Sequence, residues 1–205
     1  MIERGRFNTF SHVALSVVAL LIALVTFANP SMAKPHWLFA GKPAAAPAAA
    51  TAEPVVVMET NKGVIKIRVF TKEAPRTAAN FLDLVNKGFY NGLTFHRYEP
   101  GFCCQGGDPN GNGTGGYTDS KTGQERRIPL EVSPDLKHDK AGVVAMARSS
   151  DPNSASSQFY FTLGPASFLD MKYAVFGRVV DGLDVMMSLR KDDKMVKVYE
   201  EKAKG

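Results

Sequence analysis

The chain has 205 residues, a formal net charge of +5 and 44% hydrophobic residues, which leaves room for one domain of ordinary size with appendages. No run of lysine and arginine interleaved with aromatics occurs, which argues against a nucleic-acid partner. The two cysteines, Cys103 and Cys104, are adjacent and the four histidines, His12, His36, His96 and His138, are scattered, so neither a disulfide framework nor a metal site is expected, and no cofactor is implied.

The amino terminus has the layout of an export signal. Met1 to Arg6 carries Arg4 and Arg6, Val13 to Ala28 is apolar without a charge, and Ser31-Met32-Ala33 is a small-x-small site, so residues 1–33 are expected to be a signal peptide cleaved after Ala33. The alternative is an uncleaved anchor, with residues 13–28 as a membrane tether. Arginine precedes the apolar run in both readings, which places the rest of the chain outside the cytoplasm, in a periplasm or an organelle lumen. Residues 34–54 read as a Pro/Ala-rich linker, with Pro43, Pro47 and Pro54 spaced among alanines and too few large side chains to fold. The folded domain is expected over residues 55–205.

Within it, Val55 to Thr60 and Val64 to Phe70 are β-branched runs joined by Asn61-Lys62-Gly63, the pattern of a hairpin. The period then changes. Pro75 stands where a helix would begin, Phe81, Leu84 and Val85 recur at helical spacing, and Gly88 lies just past the end as a cap. Leu93 to Tyr98, Phe102 to Gln105, Gly142 to Ala147, Gln158 to Leu163 and Tyr173 to Val180 follow as short strand-like runs bounded by turn residues. A second helix with Val185, Met186 and Leu189 opens after Asp181-Gly182, and Met195 to Tyr199 closes the chain as a strand. The pattern predicts a mainly β domain in which eight antiparallel strands form a closed barrel capped by two α-helices; it does not give the strand order.

Three motifs invite other chemistry. Gly111, Gly113 and Gly116 have dinucleotide-loop spacing, but no apolar helix follows them. Asp108, Asn110, Asn112, Gly113 and Asp119 approach a calcium loop, but the twelfth position is aspartate and no helices flank it. Ser149 to Ser157 is rich in serine without a nucleophile elbow. A surface loop is the simpler reading of the glycines.

The most distinctive stretch is Phe95 to Asp108, which sets one permanent cation, Arg97, in an apolar strand-like run and then turns through glycine. An arginine against an apolar wall is costly to desolvate and so calls for a reason. Phe95-His96-Arg97, Pro100-Gly101-Phe102, Gln105-Gly106-Gly107-Asp108, Gly113-Thr114-Gly115-Gly116, Met146-Ala147-Arg148, Ser157-Gln158-Phe159-Tyr160, Phe168-Leu169-Asp170 and Val175-Phe176-Gly177 together resemble the cyclophilin family of peptidyl-prolyl isomerases, in a bacterial-like, exported form. The likeness spans Val55 to Glu200. It departs from the family pattern at Cys103, usually methionine; Tyr160, usually phenylalanine; Phe168, in place of a tryptophan linked to cyclosporin binding; Tyr173, a frequent histidine; and Arg148, a common asparagine.

The resemblance implies acceleration of rotation about Xaa-Pro bonds in exported proteins, which assists their folding. It implies a monomer acting on proline-containing polypeptides, without nucleic acid or cofactor. Arg97 would be the catalytic donor, and Gln105 would orient it or hold a substrate carbonyl. Phe102, Cys103, Tyr160 and Leu169 would form the proline pocket, with Phe168 as its rim. Ala147, Arg148, Gln158 and Tyr173 would complete the substrate-binding surface, Arg148 through its backbone. Adjacent Cys103 and Cys104 suggest a pocket sensitive to oxidation. The alternative is a proline-peptide-binding chaperone or assembly factor with incidental turnover.

Overall fold

The computed structural model describes residues 53–202. The export signal, its cleavage site and all of the linker except Glu53 and Pro54 lie outside the described residues. Strands β1 (Val55–Thr60) and β2 (Gly63–Val69) form the expected hairpin, and Gly63, with φ of +136°, adopts a backbone that side chains rarely permit. Helix α1 (Pro75–Asn86) begins on its proline and turns Ala78, Phe81, Leu84 and Val85 inward. Gly88 ends it at φ +67°, donating its N–H to the Val85 carbonyl. Its first turn has no side-chain cap of its own; the distant Glu131 carboxylate accepts the N–H groups of Arg76 and Thr77 instead.

The remaining strands are β3 (Arg97–Glu99), β4 (Cys103–Gly106), β5 (Val143–Met146), β6 (Phe159–Thr162), β7 (Val175–Asp181) and β8 (Met195–Glu200). A 3-10 turn covers Ser167–Leu169, and a short helix α2 (Leu183–Ser188) follows Gly182, whose φ is +73°. All pairings are antiparallel in the order β3-β4-β6-β5-β7-β2-β1-β8.

The closed barrel expected from the strand count is not formed. The sheet is an open half-barrel whose edges are β3 and β8. Only Arg97 and Tyr98 of the predicted Leu93 to Tyr98 strand enter the ladder, joined there by Glu99. The residues before them meet the start of β8 through one isolated Thr94 to Lys194 bridge, with Phe95 N–H donating to the Asp193 carbonyl at 2.9 Å and Met195 N–H to that of Leu93 at 2.9 Å. Further along β8, the Val198 N–H donates to the Asn91 side-chain oxygen at 2.8 Å in place of a backbone carbonyl, and the contact does not lengthen into a ladder.

One face of the sheet holds the main core. Phe81 of α1 inserts among Tyr90, Phe159 and Phe176 at ring-centroid distances of 5.3, 5.6 and 4.9 Å. Strand alternation sorts the rest: Cys104, Val144, Met146, Phe159 and Phe161 face this core, while Cys103, Val143, Ala145 and Tyr160 face the other way.

Candidate active site

Strand pairing assembles the site. Directly opposed residues of an antiparallel sheet share a face, and the registers of five strands align Arg97, Gln105, Tyr160, Ala145 and Val175 in one row. Around that row Cys103, Val143, Ala145, Tyr160, Ala166, Leu169 and Val175 bury a second apolar cluster, with Phe102, Ala147 and Tyr173 half-buried against it. Arg97 stands at its edge.

The cleft there is lined by Arg97, Phe102, Cys103, Gln105, Ala147, Arg148, Tyr160, Leu169 and Tyr173. It takes in all the predicted site residues but two. Gln158 lines the adjoining cleft beside Gly113 and Thr114. Phe168 is 62% exposed and stands on the rim, its ring 5.6 Å from that of Phe102.

The Arg97 guanidinium donates to the Cys103 sulfur at 3.1 Å, lies 5.8 Å from the Phe102 ring centroid and approaches the Glu99 carboxylate to 3.7 Å. Both members of that last pair are largely exposed, so the ion pair contributes little and leaves the fork available. Burial pushes the Cys103 thiol up, with Arg97 opposing, and pushes Cys104 up to about 12. Cys103 therefore meets Arg97 as a neutral thiol accepting a hydrogen bond. Its neighbour Cys104 turns into the main core, and both cysteines are free. His96 is buried with neither ring nitrogen bonded, and burial draws it below 6.5, so it adds no second cation beside Arg97 near neutral pH.

Gln105 does not orient Arg97. Its amide donates to Gln158 at 2.8 Å, and the Gln158 amide donates to the carbonyls of Gly113 and Gly115 at 3.1 and 2.7 Å. This chain ties the active-site row to the glycine-rich loop. The loop has an anion of its own: the Asp108 carboxylate accepts backbone N–H groups from Asn110, Asn112, Gly113 and Gly115. Burial resists ionisation of Asp108, but those amides hold its pKa below the ordinary value. Oxygens turned toward N–H donors are unsuited to a cation, and the amides that would cradle a phosphate are already engaged.

Arg148 spends its guanidinium on the fold. It donates to the carbonyls of Lys172 and Ser149 and lies 4.5 Å from the Tyr173 ring centroid. That leaves its backbone as the part available to a peptide. Beneath the cleft, the Tyr160 hydroxyl is 3.0 Å from Nε2 of the fully buried His138, and His138 Nδ1 is 3.0 Å from Asp170. In the sequence His138 is one of four scattered histidines. It lies 22 residues before Tyr160 and 32 before Asp170, and no local period joins them.

A family model for cyclophilin type peptidyl-prolyl cis-trans isomerases matches residues 55–204. The chain belongs to the cyclophilin family. It is 44% identical over 140 residues to the peptidyl-prolyl cis-trans isomerase-like 1 of Rhizopus delemar, covering 67% of this chain and 82% of the relative. It is 45% identical over 144 residues to the peptidyl-prolyl cis-trans isomerase-like 3 of Homo sapiens, covering 70% and 86%. Among solved structures it resembles a Cryptosporidium parvum cyclophilin crystallised in the presence of the dipeptide Ala-Pro, with a TM-score of 0.65, 31% identity, and coverage of 72% of this chain and 99% of that one. This cyclophilin is thus a peptidyl-prolyl cis-trans isomerase acting on proline-containing peptides.

Proposed function

We propose that this cyclophilin is an exported, bacterial-like monomer that assists the folding of proteins outside the cytoplasm, with Arg97 as its catalytic donor. The observation that carries the assignment of the donor is the row that sets Arg97 at the edge of an apolar cleft floored by Tyr160.

Rotation about an Xaa-Pro bond breaks amide resonance, a barrier of about 18–20 kcal/mol. As the bond twists, the prolyl nitrogen loses conjugation and gains a lone pair. Arg97 donates to that lone pair. The planar ground state offers no such acceptor, so the hydrogen bond favours the transition state selectively. One charged hydrogen bond contributes about 1.5–3 kcal/mol in ordinary settings, or about tenfold to 150-fold in rate. Phe102, Cys103, Tyr160 and Leu169 hold the proline ring and exclude water, so the same bond counts for more. Gln105 holds a substrate carbonyl, and the backbone at Arg148 pins the peptide. No proton moves and no covalent intermediate forms.

Residues 1–33 as a signal and residues 34–54 as a linker support the exported role, since a basic start, an uncharged apolar run and Ser31-Met32-Ala33 occur in that order. The test is the mass of the protein recovered after expression with its full amino terminus. A soluble product beginning at Lys34 is expected. A full-length chain in the membrane fraction would make residues 13–28 a retained tether, and a full-length chain free in the cytoplasm would overturn the exported role.

A further inference from the structure

We propose that His138 is a positioning residue of the isomerase: by joining Tyr160 to Asp170 it holds the floor of the proline pocket in fixed relation to the rim. The inference rests on the reading that the cleft takes the proline ring.

His138 is fully buried and fixed at both main-chain groups. Its N–H donates to the Asp170 carboxylate at 2.8 Å, and its carbonyl accepts the Ala166 N–H at 2.8 Å. The same carboxylate oxygen lies 3.0 Å from Nδ1, and Tyr160 Oη lies 3.0 Å from Nε2. A consistent hydrogen-bond network assigns the protons. Ionised Asp170 can only accept, so Nδ1 carries the hydrogen, Nε2 accepts, and the Tyr160 hydroxyl donates. Both ring nitrogens of His138 and the Tyr160 hydroxyl then have partners. Burial resists the ionised form of Asp170, but both His138 donors and the nearby Lys137 charge hold its pKa below the ordinary value.

The two ends of this chain are what give it a functional consequence. Tyr160 lines the cleft, and its hydroxyl bond to His138 orients it, the two rings lying within 13° of parallel with centroids 6.1 Å apart. Asp170 ends the 3-10 turn Ser167–Leu169, in which Leu169 lines the cleft and Phe168 stands on its rim. A phenylalanine at 160 would fill nearly the same volume, so the hydroxyl serves orientation more than packing.

The test is KM and kcat for an alanyl-prolyl peptide, with the folded fraction of each variant measured. Tyr160→Phe removes the hydroxyl alone. His138→Asn can keep the Asp170 bond but cannot reach Tyr160, whereas His138→Gln can present an acceptor near the position of Nε2. The first two variants are expected to raise KM about three- to tenfold, the cost of one hydrogen bond, with kcat per folded molecule nearly unchanged. Their combination should be no worse than either alone, and His138→Gln should recover most of the loss relative to His138→Asn. Unchanged KM in Tyr160→Phe and His138→Asn, or losses that only track the folded fraction, would overturn the proposal. Phe102→Ala separates the two levels of the argument. If it raises KM while the other variants do not, the pocket reading stands and the positioning role fails; if it too leaves KM unchanged, the pocket is misplaced and the inference falls with it.

Discussion

At the scale of single residues, the pairing of Arg97 with Cys103 decides how the cation is aimed. A neutral sulfur is a weak acceptor, so it steers one N–H without satisfying the charge, and the rest of the fork stays free for substrate. The thiol is kept neutral by burial, and a neutral thiol is a poor nucleophile. Alkylation of Cys103 by iodoacetamide at pH 7 is therefore expected to be much slower than that of a free cysteine, with activity retained over the time that consumes a model thiol. Rapid stoichiometric labelling with loss of activity would show a reactive pocket, which is what the sequence alone suggested. Adjacency in the chain hid the physical difference: alternation sends Cys103 to the cleft and Cys104 to the core.

At the scale of elements, the glycine-rich loop is organised by Asp108, and the amide chain through Gln158 and Gln105 ties it to the site. Asp108→Asn keeps an acceptor but loses the charge and competes with its own amide hydrogens. Amide hydrogen exchange at Asn110 to Gly115 should accelerate by about tenfold or more, the effect of losing one charge-assisted bond; unchanged protection would mean that the turns hold without the carboxylate. The strands and both helices were legible in the sequence because each is a local period, including the Pro75 start and the Gly88 stop. The row from Arg97 to Val175 was not, since it depends on which strands neighbour one another, and that is fixed by contacts distant in the chain. The Glu131 cap on α1 and the His138 link have no local signature for the same reason. The residues of the pocket could be named only through their likeness to a family, because alternation alone does not separate a pocket wall from core.

At the scale of the whole molecule, strand number misled about closure. Eight strands can close a barrel only if both edges are long enough to pair, and β3 has three residues. The half-barrel nevertheless leaves β3, β4, β6 and β5 side by side, which is what the site requires. Stability should fall in two stages as acid is added. An unfolded chain takes up a proton at His96 near 6.5, whereas the folded chain does so only at lower pH, so the unfolded state binds more protons in between and stability declines as pH falls through that range. Asp108 and Asp170 have lowered folded values, so their contributions are complete above 3.8 and are lost as pH falls below it. Urea unfolding from pH 8 to pH 3 reads both stages, and His96→Gln should remove the upper one; a wild-type midpoint constant between pH 7 and 5 would contradict it.

The role of Arg97 is tested most directly by exchange spectroscopy on an alanyl-prolyl peptide, which reads binding and isomerisation in one sample. Wild type is expected to accelerate cis/trans exchange, and Arg97→Ala to bind the peptide with similar affinity while its exchange rate at saturation falls by about tenfold to 150-fold or more. Full exchange activity in Arg97→Ala would contradict the account, because the twisting bond would then be stabilised by some other group.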